Sequence, residues 1–109
     1  MIIKKADPTQ ATGTGLVGKV LTTYTDLVNT FGQPNLYSGD KVNVEWVLNF
    51  IDKNGDETIA TIYDWKEPSI PMGETFWHIG GKNYNAYINV AMALRGDISH
   101  SYEGSEYDQ

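Results

Sequence analysis

The sequence predicts an α+β protein: a three- to four-stranded antiparallel sheet, in the chain order β-α-β-β-β-α, with two helices packed on one face. Three observations carry this. Lys41 to Lys66 reads as two strand-like runs joined around Asn54-Gly55, the strongest short hairpin signal a sequence offers. Thr22 to Phe31 and Lys82 to Arg95 carry apolar residues at helical spacing, and each run stops at a glycine. A sheet with one buried face needs a cover, and two amphipathic helices are available to supply it. The expected strands lie near 16–22, 41–51, 57–66 and 75–79, and the expected helices near 23–31 and 83–95.

In chain order, Ile2-Ile3 makes at most a short strand before the Asp7-Pro8 turn. Thr12 to Val20 contains G-x-G-x-x-G-x-V, which invites two nucleotide-binding readings. A protein kinase loop requires a catalytic loop and an Asp-Phe-Gly that are absent. A dinucleotide fingerprint requires a helix directly afterwards, whereas Val17 to Leu21 reads as a strand. These glycines are therefore expected at a loop and strand entry. Thr22 or Thr23 can cap the next helix, Asp26 suits its first turn, and Tyr24, Leu27, Val28 and Phe31 form its core stripe. Gly32 ends it and Pro34 prevents its resumption.

The hairpin follows. Val42, Val44, Trp46, Leu48 and Phe50 alternate onto one face and should be core. With Asn54-Gly55 as a two-residue turn, Phe50 opposes Ile59, Leu48 opposes Thr61, Trp46 opposes Tyr63, and Glu45 opposes Asp64. Directly opposed like charges are unfavourable. Either the register slips by one in a longer loop, or Lys41 or Lys66 neutralises the pair, or the pair is functional. Glu67 to Glu74 is a proline-containing connection, Thr75 to Ile79 a further strand, and Tyr84, Tyr87, Ile88, Ala91 and Leu94 the stripe of the second helix. Residues 1–96 thus form one compact domain, and 97–109 an acidic tail expected to be disordered.

The net charge of −6 disfavours direct nucleic-acid binding, but the tail supplies four of those charges through Asp97, Glu103, Glu106 and Asp108. Without cysteine there is neither a disulfide framework nor a thiolate metal site, and no metal or cofactor is expected. MIIKKADPTQ has no apolar signal region, and no apolar run is long enough to span a membrane. Asp52 to Glu57 imitates the start of a calcium loop, yet places Glu57 where that loop needs glycine. Glu45 and Asp64 are candidate paired carboxylates, with His78 the one histidine on a strand. Gly80-Gly81-Lys82 before a helix is a candidate anion site.

The segments GTGLVGKVLTTYTDLVNTFGQPN, KVNVEWVLNF, ATIYDWK and FWHIGG together resemble a family of small, mostly uncharacterised tailed-phage proteins, over residues 13 to 92. The chain departs from that pattern in a shorter Trp65 to Trp77 segment and in its acidic tail. The resemblance implies a phage origin and the host bacterial cytoplasm, and brings no catalytic residues with it. The expectation is therefore a non-enzymatic accessory protein that binds and inhibits or sequesters a host or defence-system protein, or a small anionic signalling molecule such as a nucleotide. Homo-oligomerisation stays open. The expected contact surface is Trp65, Trp77, His78, Gly80, Gly81 and Lys82, with Glu45 and Asp64 beside it. The alternatives are a small hydrolase or nucleotide-processing enzyme using Glu45, Asp64 and His78, or a minor virion or assembly component.

Overall fold

A computed structural model describes residues 1–37, 40–96 and the backbone of 101–103. Its elements are β1 (Ile2–Lys5), a 3₁₀ turn (Pro8–Ala11), β2 (Gly15–Thr22), α1 (Tyr24–Phe31), β3 (Leu36–Tyr37), β4 (Val44–Ile51), β5 (Glu57–Tyr63), β6 (Thr75–Gly81), α2 (Asn85–Arg95) and β7 (Ser101–Glu103). The predicted β-α-β-β-β-α order survives as β2-α1-β4-β5-β6-α2. The sheet, however, is larger than three or four strands. Six lie side by side as β2-β6-β5-β4-β1-β7, and the two-residue β3 also pairs with β4. Among the described residues every pairing is antiparallel except β1 with β7 at the edge. No helix among the described residues is long and apolar enough to cross a membrane.

The extra strands come from short segments with little alternation of their own. β1 pairs with the Leu48–Ile51 end of β4, and β3 with its Val44-Glu45 end. Asn35 closes the gap between them: its Oδ1 accepts the Val47 N–H at 2.7 Å, and its Nδ2 donates to the Ala6 carbonyl at 2.9 Å. One asparagine thus completes the hydrogen bonding of a buried strand. β7 corrects the expectation of a disordered tail for Ser101–Glu103; the rest of the tail lies outside the described residues.

The hairpin register also differs. Asp52, not Asn54-Gly55 alone, organises the turn: its Oδ1 accepts the N–H groups of Asn54 (2.8 Å) and Asp56 (3.0 Å), and Gly55 takes φ +84. This five-residue loop pairs Ile51 with Glu57, so Phe50 faces Thr58, Leu48 faces Ala60, Trp46 faces Ile62, and Glu45 faces Tyr63. A slip of one residue moves every side chain of β5 to the other side of the sheet. Ala60, Ile62 and Asp64 turn inwards; Ile59, Thr61 and Tyr63 turn outwards.

The inner face holds the core. Val44, Trp46, Leu48, Phe50, Ile62, Trp77 and Ile79 pack with Leu27 and Phe31 of α1 and with Ala86, Val90 and Ala93 of α2. Thr23 Oγ1 caps α1 by accepting the Asp26 N–H at 3.0 Å, and Gly32 ends it at φ 78. The Trp46 indole N–H then donates to the Gly32 carbonyl at 2.8 Å, tying the central strand to the helix end. Both helices lie on this face, which leaves the opposite face to the 3₁₀ turn, in contact with β4 and β5, and to whatever the strands display there.

Candidate functional site

Four strands carry one row of side chains across the outer face. The pairings Lys19↔His78, His78↔Tyr63 and Tyr63↔Glu45 set a lysine, a histidine, a tyrosine and a glutamate in line over β2, β6, β5 and β4. Cross-strand neighbours of this kind sit about 5 Å apart at Cβ. Trp65 follows β5 with the same outward parity. Its ring lies 6.0 Å from the His78 ring at 24° and meets Tyr63 edge-on at 6.3 Å. Tyr63 and His78 are 5.4 Å apart. The Nζ atoms of Lys41 and Lys66 stand 5.9 and 5.8 Å from the centre of the Trp65 ring, within cation–π range.

Beside this cluster a cleft of about 220 Å³ is lined by Thr14, Gly15, Val42, Glu45, Thr61, Tyr63, Trp65 and Gly80. Its floor is flat because Gly80 cannot carry a side chain: a Cβ there would lie 2.3 Å from Thr61 Oγ1. Among the described residues no hydrogen-bond donor or cation is paired with the Glu45 carboxylate. Burial raises its carboxyl above the ordinary range. Burial, and secondarily the Glu45 charge, raise the Tyr63 phenol, while burial and then Lys19 lower the His78 imidazole. A larger cavity, about 510 Å³, lies on the same side and is lined by Lys4, Lys5, Ala6, Asp7, Gln10, Asn49, Ile51, Glu57 and Ile59. It has no aromatic wall, so the aromatic cleft is the better candidate for recognition.

The expected surface is thus only partly brought together. Glu45, Trp65, His78 and Gly80 meet in or beside the cleft. Lys82 is exposed just past β6, with its Cε 3.7 Å from where Gly13 would carry a Cβ. Trp77 is a correction: it is fully buried between Trp46 and Tyr24 and can touch no partner. Gly81 is another. Gly80 and Gly81 are the last residues of β6, paired to β5 and β2, and a Cβ on Gly81 would lie 2.3 Å from that of Ala86. Gly81 lets strand and helix approach closely and Gly80 lies against Thr61 of the neighbouring strand, so neither opens an anion-binding turn. The N-cap Tyr84 makes no side-chain cap bond; Asn83 Oδ1 accepts the Asn85 N–H at 2.9 Å.

Asp64 is the last correction. The register places it on the inner side, away from Glu45, and its oxygens are occupied. Oδ1 accepts the N–H groups of Asn43 (2.8 Å) and Val44 (3.1 Å), and Oδ2 the Asn43 amide at 2.6 Å. It holds the strand entry together, and the Glu45–Asp64 carboxylate pair does not exist. Sequence reasoning missed Tyr63, Thr61 and Lys19, because the assumed two-residue turn sent Tyr63 and Thr61 into the core. The available signal was Asp52, whose side chain can bond backbone two residues ahead and lengthen the loop.

No family model matches this chain, and neither a curated protein nor a solved structure does. Function is therefore read from the chemistry of the outer face.

Proposed function

We propose that this protein is a non-enzymatic phage accessory protein that binds, and thereby inhibits or sequesters, a host or defence-system component, using the outer face of its sheet. The observation that supports this most is the Trp65–His78–Tyr63 cluster, aromatic surface left beside Lys19, Lys41 and Lys66 and beside Glu45, which has no side-chain partner among the described residues, while the opposite face is covered by helices. Partly exposed aromatics next to charged groups are the usual anchors of recognition surfaces. The hydrolase alternative loses its carboxylate pair to the Asp64 hydrogen bonds.

The test is capture from bacterial lysate by the tagged full chain, with mass spectrometry of retained proteins and small molecules. A stoichiometric component retained by the parent and lost by Trp65→Ala is the expected result. Capture that is unchanged in both Trp65→Ala and His78→Ala would remove the surface. Turnover of a substrate that is abolished by Glu45→Gln would replace binding by catalysis.

A further inference from the structure

We infer that the cleft beside Trp65 takes the base of a guanine nucleotide, with the phosphates directed to the lysines at its rim. This rests on the binding reading above and names its ligand. Glu45 is half-buried in the cleft, and its carboxylate has no hydrogen-bond donor or cation paired with it among the described residues. A carboxylate removed from water without donors is costly, and it can accept two parallel N–H bonds at once. A guanine offers two adjacent donors, its ring N–H and exocyclic amine, on one edge. Adenine places an acceptor where the ring N–H would be, so it meets the carboxylate with repulsion.

The walls and rim agree with a flat ligand. Tyr63 and Trp65 meet at 74°, forming a corner over the flat Gly80 floor, so one ring stacks on a ligand base while the other bounds its edge. At about 220 Å³ the cleft is smaller than pockets that enclose a whole drug-sized ligand, roughly 300–1,000 Å³, and suits a base whose sugar and phosphates stay outside. The Nζ atoms of Lys41 and Lys66 lie over the Trp65 ring at 5.9 and 5.8 Å, and both lysines are exposed, so a base that stacks on that ring displaces them to the rim. These ammonium groups repel the competing ligand class, an organic cation in an aromatic corner, and attract phosphate. A carboxylate, two aromatic walls and a lysine rim are jointly satisfied by a neutral base with two donors that carries an anionic tail.

The experiment titrates the full chain with GDP and GTP, using ADP as comparator, by calorimetry and by tryptophan fluorescence. Trp46 and Trp77 are fully buried, so quenching by a stacked base reports Trp65. Saturable one-to-one binding of GDP or GTP is expected, with ADP weaker by about tenfold or more. Glu45→Gln, checked by its thermal melt to be folded, should abolish that preference, and Trp65→Ala should abolish the quench and the binding. Equal affinity for ADP, or no saturable binding of GDP and GTP, overturns the guanine assignment. In that event, loss of lysate capture by Trp65→Ala would still leave the binding reading standing, whereas capture unchanged in both Trp65→Ala and His78→Ala would remove this face as the binding surface along with the guanine assignment.

Discussion

On the side of the sheet covered by helices, Trp46, Phe50, Ile62, Trp77 and Ile79 are exposed by no more than 1%, whereas the other side leaves Trp65 40% and Phe76 62% exposed. Both sides are rich in aromatics, so aromatic content does not decide which one becomes core. The chain path does. α1 links β2 at one edge of the sheet to β3 beyond β4, and α2 follows β6; both helices lie over the same face. Tyr63, Trp65 and His78 were left without a helix to meet. The same contrast holds for two carboxylates one residue apart in register: inward Asp64 has both oxygens engaged, and outward Glu45 has neither engaged among the described residues.

The largest expected effect is on the covered side. Trp46→Ala removes a ring in contact with Tyr24 and Trp77 and an indole bond to Gly32, and should cost about 3–5 kcal/mol in chemical denaturation. Trp65→Ala, the same change on the other side, should stay within about 0.5 kcal/mol. Equal losses from the two would erase the distinction between the faces.

Intermediate effects sharpen it. Asp64→Asn keeps the shape but leaves one acceptor for three donors, and should cost about 1–3 kcal/mol. Gly81→Ala forces a methyl against Ala86 and should cost a similar amount, about 1–3 kcal/mol, by overpacking the β6–α2 contact. Gly15→Ala on the same sheet meets nothing within 4 Å and should be nearly neutral. Thermal melts of the three variants decide this, and a neutral Gly81→Ala would show that the helix can shift without loss.

The elements that were readable from the sequence are those whose signal is local. Thr23, Asp26, Gly32 and Pro34 delimit α1, Arg95 and Gly96 close α2, and alternation from Val44 to Phe50 marks the central strand. What was not readable depends on partners far along the chain. β1 and β3 are strands because β4 offers them an edge and Asn35 joins their ends, and nothing in Leu36-Tyr37 alone announces pairing. The candidate site suffered most, since a single loop residue, Asp52, shifts the register and turns Tyr63 and Thr61 out to the cleft. Trp77 and His78 alternate along β6, and only the helices decide which of the pair is inside.

The smallest effect concerns Glu45 and depends on pH. Burial raises its carboxyl above the ordinary value, so the folded chain holds this proton to higher pH than the unfolded chain does. Folding then binds a proton, and the associated stability is present below the unfolded value, about 4.3, and is lost as pH rises through the folded one. Glu45→Gln removes that loss. The neighbours that could offset it are few: Tyr63 opposite on β5 is an uncharged phenol at these pH values, and Leu36 opposite on β3 is apolar. The variant should therefore gain stability relative to the parent between about pH 4 and pH 7, a modest gain because the group is only half-buried. Melting both proteins at matched pH cancels the titration of the remaining carboxylates. A variant that instead loses stability on approaching pH 7 would mean that Glu45 is ion-paired in solution, and the unpaired carboxylate on which nucleotide recognition depends would be gone.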